Sequence, residues 1–211
     1  MYTTQILMNE HRVIEQVLDC LDAISDSAMG LERLDCVDAN KVIDFLFEFA
    51  DGCHHAKEER VLFPALEAIG FSASQGPTAI MRMEHEHGRS LLAQMREAVL
   101  EAEAGLPNGP TVFAYAAGRY LELLRMHIRK EDNCLFPAAD EALSGTAQRT
   151  LTEQCEYVEE HEVGENKHEY YLGIANDLAD KYDVPRAQFV LVEQEPGLAC
   201  CHSHGQPVAA R

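Results

Sequence analysis

The chain has 211 residues, of which 46% are hydrophobic and 25% charged, a globular composition with length for one well-filled core rather than two. Its formal net charge of -19 repels phosphate backbones and argues against nucleic acid or an anionic membrane as a partner. The seven cysteines are odd in number and form no Cys-x-x-Cys, so a disulfide framework is not expected and a reducing, cytoplasmic setting is. Asn9, Glu10, His11, Arg12 and Glu15 interrupt any signal-peptide core, and no apolar run reaches membrane-spanning length.

Five segments carry helical periodicity, and none before residue 186 alternates like a strand. The first runs from about Thr3 to Ala28, with Thr3 as candidate cap. The second runs from about Asp38 to Phe63 and meets Pro64, which either ends or kinks it. A Gly-, Ser- and Pro-rich loop from Gly70 to Pro77 leads into the third, from about Thr78 to Gly105. Asn108-Gly109-Pro110 turns the chain into the fourth, which reaches Phe136-Pro137. After Ser144-Gly145 a fifth helix spans about 147 to 182, and residues 183–211 read as a tail in which Phe189 to Val192 form a short extended piece. The expected fold is all-α: an antiparallel up-down four-helix bundle over residues 3–140, an additional C-terminal helix completing a domain over 1–182, and the tail.

The sequence repeats itself. His54 to Pro64 lines up with His127 to Pro137 at an offset of 73 residues, and Glu10-His11 lines up with Glu84-His85 at 74. Each half is a helical hairpin with one His on its first helix and His-x-x-x-Glu, then Leu-Phe-Pro, on its second.

A period of 3.6 residues sorts the polar residues by face. His11 lies in the stripe Leu7, Ile14, Leu18, Leu21; His85 lies with Met81, Gly88, Leu92 and Met95. In the second helix the inner stripe is Ile43, Phe47, Ala50, His54, Glu58 and Val61, which leaves Asp51, His55 and Glu59 facing water. In the fourth it is Phe113, Ala117, Tyr120, Leu124, His127 and Glu131. Asp132 falls about 140° from His127 around the helix and Glu131 about 40°, so Glu131 is the better partner. His87 falls on a mostly polar row.

Four imidazoles and two carboxylates therefore point at one core. Buried carboxylates need partners, and a His/carboxylate set without thiolates suits iron, manganese or zinc rather than structural zinc. Two Glu can bridge two ions and four His can cap them. The competing reading is a metal-free buried His–Glu hydrogen-bond network.

This order of His, His-x-x-x-Glu, His, His-x-x-x-Glu, with Leu-Phe-Pro after each pair, resembles the hemerythrin-like proteins, also called the HHE cation-binding family, over about residues 3 to 140. The resemblance implies a non-haem di-iron centre with carboxylate and oxo bridging, with zinc or manganese as lesser candidates. It makes His11, His54, His85 and His127 terminal ligands and Glu58 and Glu131 bridging ligands, with O2, NO or peroxide as the partner molecule. Oxygen-carrying members place a second His four residues after the third-helix His, where Arg89 stands here. They also use an Asp five residues after the fourth-helix His; Asp132 stands there, but Glu131 fits the shorter spacing of the bacterial branch. Both departures point away from simple oxygen transport and leave the site one His short of five.

The fifth helix offers Glu160 and His168, of which His168 is the better candidate to join the metal or support its ligands, with Gly164 permitting close approach. Tyr120, Tyr157 and Tyr171 fall on inner stripes, as packed core or as lining for a ligand pocket. His161 is expected in solvent, and Cys200-Cys201-His202-Ser203-His204 fits no standard zinc spacing. The expected function is a di-iron sensor of small ligands or a peroxidase-like or NO-reacting oxidoreductase. Iron storage or donation, including iron–sulfur cluster repair, is one alternative. A metal-stabilised interaction module and a dinuclear zinc hydrolase are others.

Overall fold

A computed structural model describes residues 2–31, 33–163 and 167–189, with side chains for all of these but 162 and 163. Every regular element among them is helical, and the protein is an all-α bundle. Helix α1 is Thr3–Leu31. Helix α2 opens at Cys36–Phe45, where the Asp35 carboxylate accepts from the backbone N–H of Asp38 at 3.2 Å. It continues through wider i→i+5 turns at Leu46–His55 and Glu58–Leu62 into Phe63–Ala68. Helix α3 is Pro77–Glu103. Helix α4 is Gly109–Lys130, continuing through wide turns at Glu131–Leu135 into Phe136–Ala142. Of the expected fifth helix the structure describes two stretches, labelled here α5, Gly145–Val158 with a wide turn at Glu159–Val163, and α6, Lys167–Tyr182. Gly164 between them and the tail residues Val190–Val192 and Cys200–His204 lie outside the described residues.

The prolines of the two Leu-Phe-Pro triplets neither end nor break their helices. Each follows directly on a stretch of wide turns. Proline has no N–H for the bond to residue i−4, and its ring crowds that carbonyl. A preceding turn with one extra residue relieves the crowding and changes which residues face inward.

Helices α1 to α4 pack side by side, α5 lies against α1 and α2, and α6 covers α1 and α2. The core is two apolar clusters. The smaller gathers Leu7, Leu62, Phe63, Met81, Leu135 and Phe136; the larger includes Val17, Leu21, Phe49, Leu91, Met95, Phe113 and Leu124. Along each of the four helices the chain passes from one cluster to the other, and the ionisable residues of the repeat occupy the layer between. No helix among the described residues is long and apolar enough to cross a membrane.

Candidate metal centre

His11 comes from α1, His54 and Glu58 from α2, His85 from α3, and His127 and Glu131 from α4; each is at most 2% exposed. A fifth imidazole joins them. His55, expected in water, is 4% exposed and stacks on His85 with ring centroids 3.8 Å apart. The wide turns through Leu46–His55 explain the error, because they advance the chain by less than the α-helical angle per residue. Neighbouring His54 and His55 both turn inward, while Phe47, expected in the core, is 45% exposed. The row Asp51, His55, Glu59 faces α3, not solvent: Arg89 binds Asp51 at 2.9 and 3.0 Å and Glu59 at 2.9 Å.

Every one of the five rings is held the same way. Nδ1 of His11 donates to Asp132 at 2.7 Å, of His54 to Glu10 at 2.9 Å, of His55 to Asp51 at 3.2 Å, of His85 to Glu59 at 2.7 Å and of His127 to Glu84 at 2.9 Å. An ionised carboxylate only accepts, so the proton sits on Nδ1 and the Nε2 lone pair is left free to bind an ion. These Nε2 atoms meet two central carboxylates. His11 lies 3.3 Å and His127 3.2 Å from Glu131; His54 lies 3.5 Å and His85 3.4 Å from Glu58.

The inner atoms are orphans. Nε2 of His11 and His54 and both oxygens of Glu58 and of Glu131 are buried without a hydrogen bond. Nε2 of His85 and of His127 stand 3.1 Å apart, two lone pairs that need a proton or a cation between them. Burial, with the facing charge of Glu131, pushes the Glu58 carboxyl well above the usual carboxylate range. Burial and the neighbouring His85 push His55 down to about 3. Leaving so many buried polar atoms unpaired costs several kcal/mol, and cations at the centre answer all of them at once. The donors divide into two overlapping groups whose ligand atoms lie within 4.8 Å of one another: His55, Glu58, His85 and His127, and His11, His54, Glu58 and Glu131. The donor set is therefore able to hold metal ions, in two groups that share Glu58.

Outside the carboxylates lies a layer of cations. Lys57 binds Glu10, and Glu159 of α5 at 2.7 Å; Arg12 binds Asp132; Lys130 binds Glu84. Burial raises the Glu10 carboxyl, but the Lys57 ammonium and His54 more than reverse this and hold it at about 2. Sequence reasoning saw Asp132 only as a weaker ligand and Glu59 only as a surface acid. Their shared offset of 73 was the available signal, since each supports the His of the other half's first helix.

The fifth-helix expectations are corrected. His168 packs against Phe49 with tilted rings, 5.2 Å between centroids, and stands apart from the converging donors, and Glu160 is exposed. What reaches inward from this region is Glu159, through Lys57. Tyr157, expected inside, is 57% exposed and stacks on His161. Tyr171 is buried against Phe45 in the larger apolar cluster. Tyr120 alone of the three tyrosines lines a cavity at the site, with His55, His85 and His127. His87 is exposed, as expected.

Comparison with known proteins agrees with this geometry. The family model described as hemerythrin HHE cation binding domain matches residues 3–139. Uncharacterized proteins of Mycobacterium bovis and Mycobacterium tuberculosis are 27% identical over 165 residues, covering 75% of this chain and 62% of theirs. The iron-sulfur cluster repair protein YtfE of Edwardsiella ictaluri is 35% identical over 103 residues, 47% of this chain and 45% of its own. The chain thus spans less than two thirds of the length of these curated relatives. No solved structure matches it.

Proposed function

The chain belongs to the hemerythrin HHE cation-binding family, and from that premise we propose that it holds two non-haem iron ions bridged by Glu58 and Glu131 and binds O2, NO or peroxide there. The observation that carries this reading is the pair of buried carboxylates whose four oxygens have no hydrogen bond, ringed by imidazole Nε2 atoms. His55, His85 and His127 would hold one ion; His11 and His54 would hold the other. Iron bound there supplies open coordination positions and redox electrons to a small ligand.

The protein's own residues do the rest. Five carboxylates fix the ring tautomers, and cationic side chains stand behind them. The two apolar clusters on either side keep bulk water away. Imidazole and carboxylate donors also accept zinc or manganese; the lack of thiolates in the two donor groups around Glu58 argues against a structural zinc site. As a sensor the protein would report the ligand through the bundle; as an enzyme it would be an iron-dependent oxidoreductase. Similarity to proteins named for iron–sulfur cluster repair favours a second reading, iron donation.

Metal analysis and visible spectroscopy of anaerobically purified protein test the proposal. We expect two iron per chain and absorption that changes on adding azide or NO. Colourless protein carrying zinc would refute it.

A further inference from the structure

We propose that Arg89 is a positioning residue for the metal centre: its guanidinium clamps Asp51 and Glu59 together and, through them, aims the His55 and His85 imidazoles at a single ion. The inference rests on the reading above that these two rings share an ion.

Asp51 stands four residues before His55 and Glu59 four residues after it on α2, and Arg89 stands four residues after His85 on α3. The Arg89 Nε donates to both oxygens of Asp51, at 2.9 and 3.0 Å, and its Nη2 donates to Oε1 of Glu59 at 2.9 Å. Oδ1 of Asp51 also accepts from His55 Nδ1 at 3.2 Å, and the same Oε1 of Glu59 accepts from His85 Nδ1 at 2.7 Å. One planar group thus fixes two carboxylates, and each carboxylate fixes one ring. The two rings end up stacked, 3.8 Å between centroids and 13° from parallel. A rigid fork of donors sets directions in this way; an ammonium is a single point of charge and sets fewer.

These residues occur as a unit. In the other copy of the repeat Asp51, His55 and Arg89 correspond to Leu124, Ile128 and Glu15. Leu124 and Ile128 pack into the larger apolar cluster, and Glu15 pairs with Arg12. Where the extra imidazole is missing, the acid beneath it and the guanidinium across from it are missing too. A clamp that served only to dock α3 on α2 would not follow the imidazole, and that docking has a pair of its own, Arg96 with Asp44 at 3.0 Å. The side chains of Arg89, Asp51 and Glu59 are 34%, 15% and 26% exposed, so water screens their attraction. What the clamp supplies is direction more than stability.

The test compares iron-loaded parent, Arg89→Met, Arg89→Lys and, as a control between the same two helices, Arg96→Met. The readouts are iron content, competition with a ferrous chelator, and the imidazole N–H proton resonances of the ligand histidines. Losing a residue that orients a metal ligand costs about 10- to 100-fold in metal affinity. Arg89→Met should therefore fold and hold one iron as firmly as the parent, and yield the other to about 10- to 100-fold less chelator. Two imidazole N–H resonances should exchange with water faster than in the parent. Arg89→Lys should fall between, and Arg96→Met should match the parent. Arg89→Met with both ions held as in the parent and its N–H resonances unchanged would overturn this inference and leave the two-ion reading intact. Failure of Arg89→Met to fold, loss of both ions alike, or equal loss in Arg96→Met would also overturn it, by reducing Arg89 to a prop of the bundle. A parent holding fewer than two iron ions would overturn both.

Discussion

The two halves of the centre are built from the same repeat and end up in different surroundings. His54–Glu10–Lys57 in the first half corresponds to His127–Glu84–Lys130 in the second. Likewise His11–Asp132 corresponds to His85–Glu59. In the first half the outer lysine is fully buried, because α5 supplies Glu159 over it; Lys130 remains 38% exposed. The second half has instead the extra imidazole: His55 reaches across to His85, while its counterpart Ile128 packs into the apolar core. One end carries two imidazoles and a buried lysine; the other carries three buried imidazoles and a partly exposed lysine. Similar motifs thus acquire different chemistry from burial and from one residue, His55 in the first half against Ile128 in the second.

Substitutions that treat the halves alike should expose the difference. The largest effect is expected for Lys57→Ala, which strands the buried Glu10 carboxylate. Breaking a buried pair from one side costs about 3–5 kcal/mol, and denaturant unfolding of metal-free protein should register it. A loss below about 1 kcal/mol would mean that the burial of Lys57 does not set the energetics.

A middling effect is expected at the contact that pins the C-terminal cover. Asp38, buried at the start of α2, accepts from Tyr182 Oη at 2.8 Å and binds Lys181, both on α6. Burial raises its pKa, but hydrogen bonds from Lys181, Tyr182 and Lys41 more than offset this and hold it below the ordinary value. A depressed carboxyl contributes stability that is complete above its unfolded pKa, near pH 4, and is lost as pH falls through the folded value. Protection of α6 amides, corrected for the intrinsic exchange rate, should therefore fall below about pH 4 in the parent. Asp38→Asn should show low protection that does not change over that range, with a loss of about 1–3 kcal/mol; protection equal to the parent's above pH 4 would count against the role of Asp38.

The smallest effect belongs to Lys130→Ala. Its partly exposed pair with Glu84 is screened by water, so at most about 1 kcal/mol should be lost. A loss equal to that of Lys57→Ala would erase the distinction between the halves.

Much of this was legible in the sequence, and the parts that were not share a cause. The repeat placed His11, His54, Glu58, His85, His127 and Glu131 on inward faces, and all six converge. An α-helical period assigned His55 to solvent and Phe47 to the core, and both assignments fail where α2 widens. The support of each ring by an acid on a neighbouring helix is a tertiary fact, which one-helix periodicity does not address. The doubled Leu-Phe-Pro was the local clue, since a proline inside a helix calls for a change of turn before it.

The central claim is that His55 completes a second, unequal ion site, and iron counting on His55→Ala tests it most directly. The substitution removes one imidazole and leaves the other four, with their carboxylates, in place. The account predicts two iron per chain in the parent and one in the variant after equal anaerobic loading and desalting. Two tightly held iron ions in the variant, or fewer than two in the parent, would contradict it.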